Sequence, residues 1–157
     1  MHDTVSEWLR RLHPVPFVTG VVLASFAVVV PVAVTTILVW HPSEPGPGPE
    51  SLRSMGLIGR LAIGSVVAPL IETGLFQSIP IRVLRGRIGL AWPTVVCTSA
   101  ALFAGGHTYS AAYVIHSFLV GLVLAYAYAV KEAPADHPFL LVFLVHAVRN
   151  GVASFAA

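Results

Sequence analysis

"FVTGVVLASFAVVVPVAVTTILVW", residues 17–40, runs for 24 positions without one ionisable side chain. As an α-helix it is about 36 Å long, enough to cross a bilayer core of roughly 30 Å with some tilt. It is longer than the apolar region of a signal peptide, so it reads as a retained span. Pro31 marks a kink within it. The rest of the chain agrees with this reading. Of 157 residues 56% are hydrophobic and 10% charged, and the mean hydropathy is +0.82. Soluble domains carry about 25% charged residues. The expected fold is therefore all-α, a polytopic membrane bundle forming one integral-membrane domain over residues 1–157.

Outward from this span, "HPSEPGPGPE" (41–50) is proline-rich and polar, and places a loop over 41–54. The next apolar run, about 53–84, makes a helix of roughly 48 Å if straight, and Pro69 is expected to bend or break it. "RVLRGRIG" (82–89) reads as a basic turn. Further apolar stretches cover about 90–106, 109–130 and 138–156, with "KEAPADH" (131–137) between the last two. The count is about five spans. Arg10 and Arg11, then Arg82, Arg85 and Arg87, then Lys131 fall in alternate connections, which favours a cytoplasmic amino terminus. The net charge of +2 is too small and too scattered for nucleic-acid binding, and the lone Cys97 excludes an intramolecular disulfide.

Ionisable groups inside spans cost from about 2.5–3.5 kcal/mol at a helix centre, so each needs an account. Arg60 and Arg149 can snorkel to an interface. His116 can hydrogen-bond across helices. Glu72 is harder to explain, because no basic residue stands three or four positions away on either side. Glu72 and His107 are 35 residues apart with their midpoint at 89–90, the end of the basic turn. If that turn joins antiparallel helices, both lie about 26 Å from it along their helices, at one depth. A carboxylate and an imidazole at one level can share a water, the arrangement of general-base catalysis. His146 and Asn150, at i and i+4, share a helix face and can form an oxyanion hole; the alternative is that they satisfy each other or another helix. Spacing from the 131–137 loop predicts a depth difference of about 9 Å between His146 and His107.

Three stretches in order then resemble the motifs of the CAAX-prenyl-endopeptidase and bacteriocin-processing (CPBP or Abi) family of intramembrane proteases. The first motif, a Glu-Glu pair after Ala-Pro with a following Arg, matches Ala68-Pro69-Leu-Ile-Glu72-Thr73-Gly-Leu-Phe76-Gln77. Phe103-Ala-Gly-Gly-His107 resembles the second, Phe-x-x-x-His, and His146-Ala-Val-Arg-Asn150 the third. The likeness covers about 60–155. It implies an intramembrane endopeptidase in which Glu72 and His107 activate water and His146 and Asn150 stabilise the oxyanion, with Phe103, Thr73 and Gln77 in support. The second Glu and the Arg of the family pattern are Thr73 and Gln77 here. Both charges are lost together, and a Thr73–Gln77 hydrogen bond is expected in their place.

The resemblance implies no cofactor, while one Glu and two His (Glu72, His107, His146) make zinc the alternative. The competing functions are a catalytically inactive binding or bacteriocin-immunity protein on the same fold, and a small transporter subunit using Glu72 and the histidines as a proton relay. The implied partners are the bilayer and a peptide or membrane-protein substrate, in a chain of bacterial style placed in the cytoplasmic membrane.

Overall fold

The computed structural model describes residues 4–40, 54–133 and 136–155, and among them every regular element is helical. The proline-rich loop over 41–50, with Arg53, lies outside the described residues. Six helices follow in chain order: α1 (Thr4–Arg11), α2 (Pro14–Trp40), α3 (Gly56–Arg87), α4 (Trp92–Gly105), α5 (Ala111–Val130) and α6 (Pro138–Ser154). Three of them, α2, α3 and α5, are long and apolar enough to cross a membrane. The remaining expected spans form apolar helices of 14 and 17 residues, α4 and α6, about 21 and 26 Å long. The protein is an all-α membrane helix bundle.

Its outside is built for lipid. Ile63, Val67, Leu70, Leu75 and Ile79 form an exposed apolar stripe along α3, and Leu23, Val30 and Leu38 do so on α2. An apolar surface this extensive is compatible with a hydrocarbon solvent rather than water. Facing inward, Phe17, Val21, Ser25 and Val29 recur every four residues on α2 and are buried against α5 and α6.

The central long helix does not break at Pro69. It continues to Arg87, with wide π-helical turns over Arg60–Val67, Thr73–Ser78 and Arg82–Arg87. A proline ring clashes with the carbonyl four residues back and offers no N–H. The first two π segments end just before Pro69 and Pro80, so a shift to i→i+5 bonding makes the accommodation that a break would otherwise make. The basic turn also lies later than expected. Arg82, Arg85 and Arg87 remain helical, and the chain reverses at Gly89, which takes φ +78°. Arginine has good helix propensity and suits a helix C-terminus, so only the glycine turns.

The basic segments gather at one end of the bundle. Lys131 donates from Nζ to the carbonyls of Arg10 (2.7 Å) and Leu12 (3.1 Å), closing the end of α1. Arg82 Nε donates to Tyr128 Oη at 3.2 Å, which joins the end of α3 to the end of α5.

α4 and α5 make the most extensive helix pair, and their closeness depends on Gly121. A Cβ there would lie 3.0 Å from Ala100 Cα and 3.2 Å from Ala100 O. Both are backbone atoms, so the helices would have to part. Gly121→Val should therefore destabilise the protein by about 1–3 kcal/mol. Unfolding of both proteins in one detergent measures this, and an unchanged stability would show that the pair does not need its close approach.

Candidate active site

A carboxylate inside this bundle has to be matched by groups from other helices, and two imidazoles do so. Glu72 sits on α3 between the first two π segments. His107 Nε2 lies 3.6 Å from Glu72 Oε1, and His146 Nε2 lies 3.4 Å from Glu72 Oε2. Each oxygen thus faces its own histidine, one from the α4–α5 turn and one from α6. The depth difference expected between the histidines is absent. α4 ends at Gly105 and is capped by Gly106, and His107 folds back, its backbone N–H donating to Ala104 O at 2.9 Å. The glycine is needed there, because a Cβ at Gly106 would lie 2.8 Å from the ring of Phe76.

A hydrogen bond places one proton of His107. Its Nδ1 is 2.6 Å from Phe103 O, and a carbonyl only accepts, so Nδ1 carries a proton. In the neutral ring Nε2 is then a lone pair aimed at Glu72. Two acceptors 3.6 Å apart are beyond direct hydrogen bonding and within reach of one shared water. The Phe103 ring lies 4.4 Å from His107 and 5.5 Å from His146 between centroids, so it spaces the two imidazoles.

His146 is held differently. It is 2% exposed, and its Nδ1 meets no partner among the described residues. A buried orphan N–H costs more than an orphan ring lone pair, so the proton belongs on Nε2, facing the carboxylate. A metal-ligating histidine almost always donates its other N–H to an acceptor, and among the described residues His146 Nδ1 meets none. Nor do three His, Cys, Asp or Glu side chains among the described residues form a metal-holding group.

Asn150 has a second engagement. Its Nδ2 donates to Gly64 O on α3 at 3.0 Å, while its Oδ1 accepts from Arg149 Nη1 at 3.3 Å. The Gly64 carbonyl needs that donor. In this π segment Ala68 N–H bonds Ile63 O, five residues back, so the next bond would run from residue 69 to Gly64 O. Residue 69 is proline and has no N–H. Phe76 O also accepts from outside its helix, from the hydroxyl of Ser99 on α4. An amide has two hydrogens, so Asn150 retains one for the cavity.

Two expectations are corrected here. Thr73 and Gln77 are both 0% exposed, yet among the described residues Thr73 Oγ1 and both amide atoms of Gln77 meet no partner, so the expected hydrogen bond is not made. Both residues lie in the Thr73–Ser78 π segment, where i→i+5 closure removes the α-helical alignment of i with i+4. Arg149 does not snorkel. It is 6% exposed and turned inward, with Nη2 2.9 Å from His116 Nε2 and its guanidinium 5.4 Å over the Phe26 ring. His116 makes the cross-helix bond foreseen for it, and it accepts, because guanidinium only donates. Arg60 is half-buried near the start of α3.

Glu72, His107, His146, Asn150 and Arg149 line one cavity of about 220 Å³, walled also by Tyr109, Tyr113, Met55 and Phe103. The tyrosines and Arg149 were not foreseen as site residues. Arg149 had one visible signal: it stands one turn after His146 on an apolar helix without an acidic neighbour.

The fold is an intramembrane bundle with a carboxylate–imidazole site at its heart. The family model described as type II CAAX prenyl endopeptidase Rce1-like matches residues 54–152, well over half of the chain and all of this site. The protein belongs to that family, and is at family level a CAAX-protease-like peptidase. No curated protein and no solved structure matches the chain.

Pro69 and Asn150 should be coupled. Asn150→Ala leaves a carbonyl inside the bundle without a partner, at a cost of about 1–3 kcal/mol. In a Pro69→Ala background the restored N–H can serve that carbonyl, and the cost of Asn150→Ala should fall by at least about 0.5 kcal/mol. A double-mutant cycle of unfolding energies reads this directly; strictly additive losses would show that the asparagine does not replace the missing N–H.

Proposed function

We propose that the protein is an intramembrane endopeptidase that hydrolyses a peptide bond with a water activated by Glu72 and His107. The observation that carries this reading is the pair of acceptors, Glu72 Oε1 and His107 Nε2, facing one another at 3.6 Å in the wall of a cavity. A water between them is oriented by both, and Glu72 takes its proton as the water oxygen attacks the substrate carbonyl. The carbonyl electron pair moves onto oxygen. His146 Nε2–H and the remaining amide hydrogen of Asn150 donate to that oxyanion. The intermediate collapses, the carbon–nitrogen bond breaks, and the departing nitrogen receives the proton held by Glu72. One water is consumed, and an acid and an amine are released.

The neutral Thr73 and Gln77 stand outside these steps. Their place next to Glu72 concerns how firmly α3 is held, and the four groups assigned to chemistry are present. The basic end of the bundle, with Arg10, Arg82 and Lys131 together, supports a cytoplasmic location for that end. A bacterial cytoplasmic membrane is the setting we assign, and a peptide or membrane protein the substrate.

Glu72→Gln removes the proton acceptor and almost no volume. Reconstituted with a peptide library and read by mass spectrometry, the wild type should cleave, while Glu72→Gln and His107→Ala should not, with folding intact. Wild-type cleavage by Glu72→Gln would end the assignment. No cleavage by the wild type in any lipid would favour a binding protein on the same fold.

Zinc is tested separately. Exhaustive chelation should leave cleavage unchanged and elemental analysis should find no stoichiometric metal. Loss of one zinc together with activity, and recovery of both on its return, would replace the metal-free mechanism.

A further inference from the structure

Hydrolysis in this cavity moves charge, and the structure has a cation on the side to which the charge moves. Before attack the negative charge is on Glu72, bracketed by His107 and His146. When Glu72 takes the proton, the charge appears on the substrate oxygen. Arg149 is on α6, one turn beyond His146 and next to Asn150, and it lines the same cavity. Its partners among the described residues are neutral. They are His116 Nε2, Asn150 Oδ1 and the face of Phe26, and its Nε is buried with no partner. Within the cavity wall it is the fixed positive charge as Glu72 is the carboxylate, and each has its own set of supports.

A buried guanidinium normally finds a carboxylate, because the cost of desolvating it is otherwise uncompensated. Here neutral acceptors hold it in one orientation and leave its charge unneutralised. A charge kept in that condition is preorganised for an anion that exists only during the reaction. The bond to Asn150 Oδ1 also fixes which way the amide faces, with its oxygen to Arg149 and its nitrogen to Gly64 and the cavity.

We propose that Arg149 is a further residue of the oxyanion site, supplying the positive field for the developing oxyanion and fixing the amide orientation of Asn150. It acts through Asn150 and through its field, so it is a positioning and electrostatic residue, and His116 is the acceptor that holds its other edge. The proposal rests on the hydrolytic reading above.

The test separates ground state from transition state. Arg149→Gln keeps a long polar side chain and removes the charge; Arg149→Lys keeps the charge and loses the fork. With a cleaved peptide, Arg149→Gln should lower kcat by about 100–1000-fold with KM within about threefold of the wild type. Arg149→Lys should recover a large part of that loss. A phosphinic analogue of the same peptide, whose tetrahedral centre is anionic, should lose affinity for Arg149→Gln by a factor that tracks the loss in kcat/KM. Thermal unfolding of each variant in the same lipid identifies any that fail to fold, and Arg149→Lys then carries the comparison. A rise in KM with kcat preserved would make Arg149 a substrate-binding residue and overturn the proposal. So would an Arg149→Gln enzyme with undiminished kcat and wild-type affinity for the phosphinic peptide, and both results would leave the hydrolytic reading standing. A wild type that cleaves no peptide and binds no phosphinic peptide would overturn both.

Discussion

The carboxylate of Glu72 has to be compensated inside a bundle whose outer faces are apolar, and much of the surrounding arrangement answers that need. A charge at such a depth costs from about 2.5–3.5 kcal/mol if left to itself. Glu72 has no cation within one turn of its own helix, so the compensation is tertiary. His107 comes from the turn after α4 and His146 from the middle of α6, and each faces one oxygen. The three segments that carry the family motifs are thus the three that the carboxylate holds together. Phe103 belongs to the same construction: its ring separates the histidines and its carbonyl sets the tautomer of one of them.

Proline contributes to the same end by a route independent of charge. Each of Pro69 and Pro80 removes a helical N–H from α3, and each is preceded by a π segment that spreads the backbone. A carbonyl left over becomes a handle for another helix. Asn150 takes Gly64 O, the carbonyl that Pro69 leaves over, from α6, and Ser99 adds a bond from α4 to Phe76 O. In water such carbonyls would be solvated and nothing would follow. In a bilayer an unmet carbonyl is costly, so a broken intrahelical bond is converted into an interhelical one. Glu72 stands between the two prolines and is positioned from both sides.

Much of this was legible in the sequence. The apolar run 17–40, the equal separation of Glu72 and His107 from 89–90, and the His146–Asn150 spacing are one-dimensional facts about helices. They led to an all-α bundle and to the side chains that meet. The parts that were not legible depend on helical phase. A hidden π turn changes which residues share a face, so the Thr73–Gln77 pairing, argued from α-helical spacing, fails. Of the bend or break expected at Pro69, the break is not made, because the segment widens there. Arg149 was misplaced because snorkelling assumes that an interface is the nearest polar environment. The cavity was nearer, and its one signal was the place of Arg149 a turn after His146 without an acidic neighbour.

The neutral character of Thr73 and Gln77 follows from burial. Both positions are fully buried, and a charged pair there would have to meet with good geometry to balance its desolvation. The π segment denies them the α-helical alignment that such geometry uses. With neutral side chains the penalty is smaller, about 1–3 kcal/mol for each unpartnered polar group. A lone Glu at position 73 would put a second carboxylate beside Glu72, and a lone Arg at position 77 would offer Glu72 a cation competing with His107 and His146. Losing both charges avoids either outcome and leaves the field at Glu72 to the two histidines. The fixed positive charge in the cavity is instead on α6, at Arg149, among groups that cannot neutralise it. The site has no charge pair beside its carboxylate, and its fixed cation stands on a different helix.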